Sequence, residues 1–276
     1  MQADEPLASF VPYDALPERS SARSSRIPLL LLVFAVGLLL FLAIEPTKPW
    51  ILLVLTGLVA VGTDGVLREH PHAAYEVDTA WTAPLLFLPT LLALGGGLFL
   101  EDVLEGYWVV PGSVVLTLLM AAVLYAEHVS IDAAADAYPA ARFALNMGTY
   151  LTAFAFYAVV YTFDVSLLPA ALAVGLVSFL LAVEIVREAE ADPLHALAFA
   201  ALVGLIIAEA RMALYFLPLE SYLAGVFLLI CFYLTSGIVQ HHLNDDLRRP
   251  VLGEFIGIAA AGVFIVTLGR LFESGR

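Results

Sequence analysis

The sequence contains few positively charged residues and only one lysine, Lys48. Its 12 basic residues stand against 26 acidic ones in a chain of 276, which gives a formal net charge of −14. A nucleic-acid partner would require a surface rich in lysine and arginine, so this class of partner is excluded. Because no lysine lies within an apolar segment, a retinal Schiff base is excluded as well.

Cysteine is also scarce, since Cys231 is the only one and lies within an apolar segment. A single cysteine excludes both a disulfide framework and a thiolate metal site. No histidine lies in the middle of an apolar segment, which argues against a transmembrane b-type haem. No Gly-x-Ser-x-Gly nucleophile motif or phosphate-binding loop occurs. The cofactor therefore stays unknown. The sequence favours a protein that is not an enzyme but does not decide the question.

Apolar residues dominate the composition, with 62% hydrophobic residues and a mean hydropathy of +0.94. Such a composition predicts an all-α, polytopic transmembrane helix bundle in the cell membrane, with the lipid bilayer as its first partner. Hydrophobic windows give about nine spans, or eight if the short second one does not cross. The spans are 27–44, 49–63, 79–100, 108–126, 143–163, 167–186, 194–217, 219–240 and 251–272.

The distribution of basic residues predicts the orientation of the bundle. With a cytoplasmic N-terminus, eight arginines fall on the cytoplasmic side and three basic residues on the other, as the positive-inside rule requires. We divide the chain into a flexible cytoplasmic tail at 1–26, the bundle at 27–272 and a short polar tail at 273–276. Each even-numbered span runs into a polar cytoplasmic segment, and these segments begin at Asp64, Glu127, Glu184 and His241.

Two charged residues, Glu209 and Arg211, lie inside the seventh span. At a rise of 1.5 Å per residue they are roughly 12 Å and 9 Å from the outer end of that span. An unpaired charge at such a depth costs roughly 3 kcal/mol or more. Because the two residues are two positions apart, they point to nearly opposite faces and each needs a partner elsewhere. Glu209 is the candidate proton- or substrate-binding carboxylate, and the alternative is that both residues are structural.

The fifth span carries a line of polar and aromatic residues that we call the polar stripe. Its members, Asn146, Tyr150, Tyr157 and Tyr161, lie within about 60° of one another on a helical wheel. They are predicted to line a cavity next to Glu209, or otherwise to form hydrogen bonds between helices. The third span contains Pro84, Pro89 and three consecutive glycines, a pattern that predicts a kink or a break.

Acidic and histidine side chains also occur in pairs four residues apart near predicted helix ends. His128 with Asp132 and His241 with Asp245 could each present two ligands to a metal ion, and the alternative is a solvated acidic rim. The acidic, lysine-poor composition itself is typical of proteins in concentrated salt, because carboxylates retain water there. We therefore predict a halophilic source, in particular an archaeon.

Four blocks of the sequence carry a family resemblance: FVPYDALPERS, LLAVEIVREAEADP, AEARMALYFLPLE and VQHHLNDDL. Together they resemble an uncharacterised multipass membrane-protein family of haloarchaea, a domain of unknown function. This resemblance implies the membrane location and the habitat, and it implies no activity, cofactor or catalytic residue.

Three functions remain open from the sequence. The first is small-ligand binding or transport through an intramembrane polar cavity, with a small molecule or a lipid as the ligand. The second is a non-catalytic scaffold or assembly partner, and the third is a membrane enzyme acting on lipid or isoprenoid substrates at the cytoplasmic rim. The sequence leaves open whether the chain forms a homo- or hetero-oligomer.

Overall fold

The computed structural model describes residues 26–69, 83–132, 134–163, 165–187, 189, 192–217, 221–244, 246 and 248–273. These residues form an all-α bundle of nine helices without a strand, which confirms the predicted fold class. The helices are α1 Arg26–Ala43, α2 Pro49–Arg68, α3 Ala83–Val103, α4 Val109–Ser130, α5 Tyr138–Thr162, α6 Leu167–Val186, α7 Pro193–Leu214, α8 Ser221–Leu243 and α9 Arg249–Glu273. Most of the predicted tail at 1–26 and Asp245 lie outside the described residues.

Eight of the described helices, α1 to α8, are long and apolar enough to cross a membrane. In α9 the described apolar segment is the shorter Gly253–Phe264. The predicted end of the second span was wrong, since α2 continues past Thr63 to Arg68 and is 20 residues long. The extra turn is polar, and Arg68 Nε donates to Asp64 Oδ2 at 2.7 Å, a bond between residues four apart that favours helix.

Helix ends follow from local sequence. Asp192 caps α7 by accepting a hydrogen bond from the backbone N–H of Leu194 at 2.9 Å. Pro193 occupies the first turn, where a backbone N–H would have no acceptor within the helix, so its absence costs nothing. Pro49 has the same position in α2. These starts agree with the predicted spans to within a few residues, because proline and capping residues are read directly from the sequence.

Helix α3 runs unbroken from Ala83 to Val103, so the predicted break does not occur, and the alternative of a kink stays a prediction. Pro89 lies inside the helix and is buried. The three glycines let neighbouring side chains approach the α3 backbone closely. A Cβ built on Gly96 would lie 2.8 Å from Leu116 Cδ1 of α4, and one on Gly97 would lie 2.6 Å from Leu52 Cδ1 of α2. The glycines therefore serve close helix packing, which is common between membrane helices.

Helix α5 lies at the centre of the bundle, where it packs against α3, α4, α6 and α8. Helices α6 and α7 form a particularly close pair at Gly175 and Gly204, since a Cβ on Gly204 would lie 2.7 Å from the Gly175 carbonyl oxygen. This arrangement surrounds the polar stripe of α5 with other helices. It also brings together the ends of α4 and α6 and the start of α5, which all lie on the side predicted to be cytoplasmic.

Candidate functional site

A cluster of four charged side chains is buried at the predicted cytoplasmic end of the bundle. It contains Glu127 from the last turn of α4, Arg142 from the second turn of α5, Glu184 from the last turn of α6, and Arg187 just after α6. Both glutamates are fully buried, Arg142 is 6% exposed, and the side chain of Arg187 is 24% exposed. We call these four residues the charge cluster.

Glu184 is the centre of the charge cluster. Its Oε1 accepts from Arg142 Nη1 at 3.1 Å and from Arg187 Nη2 at 2.7 Å. Arg142 Nη2 also donates to the backbone carbonyl of Glu184 at 3.2 Å. Arg187 Nη2 reaches a second carboxylate, Glu127 Oε2, at 3.2 Å. The cluster thus links α4, α5 and α6 through the side chains of two glutamates and two arginines.

Two oxygens of the charge cluster have no hydrogen-bond partner among the described residues. They are Glu127 Oε1 and Glu184 Oε2, and both are buried. Burial by itself lowers the pKa of the Arg187 guanidinium, but the charges of Glu184 and Glu127 outweigh it and raise that pKa above its ordinary value. Arg187 is therefore a permanent cation shared by two buried carboxylates.

The polar stripe of α5 lies at contacts between helices. Tyr157 is fully buried, and its hydroxyl forms a 2.6 Å hydrogen bond with Ser178 Oγ of α6. Tyr150 packs against two aromatic rings of α8, with centroid distances of 6.0 Å to Phe232 and 5.5 Å to Tyr233. The stripe therefore lies between α5 and its neighbours α6 and α8.

The polar stripe extends further along α5 than its four predicted members. Arg142 precedes Asn146 by four positions, so the charge cluster lies at one end of the same helix face. Thr149, which is fully buried, lies beside the stripe. Asn146 Oδ1 and Thr149 Oγ1 are both buried without a hydrogen-bond partner among the described residues. Buried acceptors of this kind are uncommon in folded proteins and call for an explanation.

Arg211 of α7 lies at the opposite end of the polar stripe. Its guanidinium carbon is 4.1 Å from the ring centroid of Tyr161, so the cation stacks on the aromatic face. The residue is only 4% exposed, and its Nε and Nη1 have no hydrogen-bond partner within the part of the chain that the structure describes. The structure thus brings Arg211, rather than Glu209, to the stripe.

Glu209 lies on the exposed face of α7. Its neighbours on that face include Leu202, which is 45% exposed, and Leu205, which is 58% exposed. Glu209 shares this exposed side of the helix with Leu202, Ile206 and Ala213. The role of Glu209 in binding a proton or a ligand stays a prediction, but its side chain does not point toward the stripe.

The predicted metal ligands are only partly described. His128 lies in the last turn of α4 and Asp132 just after it, whereas Asp245 is outside the described residues. The ring of His241 is 5.7 Å from that of Phe255. Among the described residues, no three His, Cys, Asp or Glu side chains are close enough together to hold a metal ion.

The sequence analysis missed the charge cluster as a site. Glu127 and Glu184 were noted as the first residues of polar segments, and Glu184 also as a member of one of the pairs four residues apart. Arg142 and Arg187 were noted only as charges that indicate orientation. One signal was present: two acids and two bases lie close to the ends of three consecutive spans predicted to meet on one side. Opposite charges at the ends of neighbouring helices can pair, and this balance could have identified the cluster.

Comparison with known proteins gives one family match. The family described as "Protein of unknown function (DUF5656)" matches residues 47–269, which includes α2 to α8 and most of α9. No curated protein matches the chain. No solved structure matches it either.

Proposed function

The chain belongs to the DUF5656 family, whose function is unknown, and we propose that it binds a small polar ligand or proton inside its helix bundle and transports it along α5. The observation that carries this proposal is the row of polar groups on α5, three of which, Asn146, Thr149 and Tyr161, have a buried side-chain oxygen without a hydrogen-bond partner among the described residues. The row leads from the charge cluster at one end of the bundle to Arg211 at the other.

The cost of these groups supports a role beyond packing. A buried acceptor without a partner costs about 1–3 kcal/mol, and Asn146 and Thr149 each present one. An apolar side chain would avoid this cost in a helix surrounded by other apolar helices. Polar groups inside a membrane bundle commonly mark the path of an ion, proton or substrate, because water or the ligand supplies the missing bond. We infer that water or the ligand forms hydrogen bonds with the unpartnered oxygens of α5 during transport.

Charge movement in liposomes tests the transport proposal. The purified protein is reconstituted into liposomes, which are adsorbed on a supported membrane. The current is recorded after a concentration step of protons, acetate or inorganic phosphate. We expect a current from the native chain and a reduction of about tenfold or more in Asn146→Leu, which corresponds to one lost interaction of about 1.4 kcal/mol. The matched control is Met147→Leu, because Met147 is the next residue and is 42% exposed on the outer surface.

Two results would contradict transport along α5. One is the absence of a current in the native chain for all three probes. The other is a current that Asn146→Leu leaves at the native level, since the unpartnered oxygen would then have no part in conduction. A current lowered equally by Asn146→Leu and by the Met147 control would show that folding, and not the path, had been altered.

A non-catalytic scaffold is the second candidate, and the charge cluster favours it. Ion pairs that connect α4, α5 and α6 fix these helices relative to one another, which suits a protein that presents a constant surface to a partner. In a scaffold, Asn146→Leu would remove an unsatisfied acceptor and raise stability while no probe produced a current. The two measurements on this one variant therefore separate the two functions.

The proposal also includes the location and the source. We propose that the protein resides in the cell membrane of a halophilic archaeon. The excess of 26 acidic over 12 basic residues supports the habitat, and the eight apolar helices support the membrane. A free energy of unfolding that keeps rising at salt concentrations where surface charges are already screened would support the halophilic source.

A further inference from the structure

Arg211 is a buried cation without an anionic partner in the part of the chain that the structure describes. It is 4% exposed, and no described carboxylate forms an ion pair with it. Glu209 is close in sequence but lies on the opposite, exposed face of α7. A guanidinium stays protonated in proteins, so Arg211 cannot lose its charge to avoid this position. The charge must therefore be balanced by something other than a protonation change.

Beside the contact with Tyr161, the Nε and Nη1 atoms of Arg211 have no hydrogen-bond partner among the described residues. The guanidinium carbon lies 4.1 Å from the ring centroid, a stacking contact that uses the face of the planar group. The N–H bonds point outward in the plane of the guanidinium, where the ring cannot accept them. Nε carries one N–H and Nη1 carries two, and both nitrogens are buried without a partner. Tyr161 therefore orients the cation and leaves an edge for an acceptor.

The chemistry of this edge defines the class of ligand. Three N–H donors on a permanent cation match an acceptor-only group that is negatively charged and has several lone pairs. Carboxylate and phosphate oxygens have these properties. Arg211 is six residues before Leu217, or about 9 Å from the predicted outer end of the span. A ligand could reach this depth from the outer surface or from the outer leaflet of the bilayer.

We propose that Arg211, oriented by Tyr161, binds the oxyanion of a carboxylate or phosphate group. This inference rests on the proposed function and gives its ligand a chemical class, since Arg211 lies at one end of the polar stripe. The oxyanion belongs either to a small dissolved molecule or to the headgroup of an anionic lipid. The ring of Tyr161 compensates part of the charge of Arg211.

Thermal unfolding in nanodiscs tests the oxyanion site. The protein is placed in phosphatidylcholine nanodiscs at constant chloride, and its Tm is measured against increasing acetate or inorganic phosphate. A parallel series without added oxyanion replaces part of the phosphatidylcholine with phosphatidylglycerol. We expect the native Tm to rise with the logarithm of the oxyanion concentration, as binding to the folded state requires. A rise in the first series indicates a dissolved ligand, and a rise in the second alone indicates a lipid.

Variants distinguish Arg211 from a general anion effect. Arg211→Met should lose the rise in Tm, whereas Arg248→Met should keep it, because the side chain of Arg248 is 77% exposed at the other end of the bundle. If Arg211→Met does not fold, Arg211→Lys decides: we expect it to need at least about tenfold more oxyanion for the same rise, since lysine lacks the planar donors. An unchanged response in Arg211→Lys would overturn the proposal.

The remaining outcomes separate this site from transport itself. No rise in Tm in the native chain in either series, or an equal rise in Arg211→Met, would overturn the oxyanion site. A rise in Tm without charge movement in liposomes would support the site and contradict transport. Charge movement without any rise in Tm would leave transport along α5 intact and would overturn the site at Arg211.

Discussion

Replacing Glu184 with glutamine should destabilise the bundle more than the same change at the other buried glutamate, Glu127. Glu184→Gln keeps the size of the side chain and one oxygen, but it removes the negative charge that Arg142 contacts at 3.1 Å and Arg187 at 2.7 Å. The bond from Arg142 to the backbone carbonyl of residue 184 remains. The variant therefore isolates the effect of one buried charge.

The structure sets the size of this effect. Breaking a buried ion pair costs about 3–5 kcal/mol, because the remaining charge stays buried without compensation. Arg187 is 24% exposed and can turn toward water, so we expect a loss near the lower limit, about 3 kcal/mol. Glu127→Gln removes only the 3.2 Å bond from Arg187, which still contacts Glu184, and should cost less, about 1.5–3 kcal/mol.

Equilibrium unfolding in lipid bicelles measures these losses directly. Arg142→Met, Glu184→Gln and the double variant complete a double-mutant cycle, and the double variant should lose less than the two single losses together, because cation and carboxylate are removed at once. A loss below about 1 kcal/mol for Glu184→Gln would refute the reasoning, since exposed ion pairs contribute no more than that. Strict additivity in the cycle would show that the two side chains do not interact.

Two further predictions concern α7. Gly204→Ala should lower the free energy of unfolding by about 1–3 kcal/mol, because its Cβ would lie 2.7 Å from the Gly175 oxygen. The control Gly57→Ala should have little effect, because no heavy atom lies within 4 Å of the added Cβ. Equal losses in unfolding assays would contradict the close contact between α6 and α7. Glu209→Gln should leave the Tm unchanged, because the side chain lies on the exposed face, and a fall as large as that of Glu184→Gln would reveal a partner for Glu209.

The helices were predictable because their signals are local. Apolar runs of about 20 residues mark spans, and prolines and Asp192 mark helix starts, so the nine spans correspond to the nine described helices. Ends were less accurate where a helix continues into polar residues. Hydropathy falls at Asp64 and Glu127, yet α2 and α4 both continue beyond these residues, since intrahelical and interhelical ion pairs compensate the charges.

The helix that covers Arg211 could not be identified from the sequence of α7. In a soluble helix the polar face is outside, but lipid is as apolar as the interior of a membrane protein. Spacing correctly placed Glu209 and Arg211 on different faces, and by the same spacing Gly204, Ala208 and Tyr215 lie on the face of Arg211. Small residues commonly mark the packed face of a membrane helix, and Arg211 is indeed buried on that side. Which helix covers Arg211 depends on the tertiary arrangement, which spacing along one helix does not contain.

Which residues pair within the charge cluster could not be predicted from the sequence, for a related reason. Its members come from α4, α5 and α6, and no pattern within one segment shows that Glu127 lies next to Arg187, which is 60 positions later. The sequence shows only that opposite charges lie at ends of spans on the same predicted side. Pairing depends on which helices are neighbours, and that is determined by the packing of the whole bundle.

The three adjacent glycines of α3 restrict how this protein can change shape. Successive residues of a helix point about 100° apart, so Gly95, Gly96 and Gly97 receive Phe156, Leu116 and Leu52 from three different helices around the α3 axis. Turning α3 in either direction would press its side chains into at least one of these contacts. Helix α3 therefore keeps its rotation about its own axis, and any conformational cycle must move other helices relative to it.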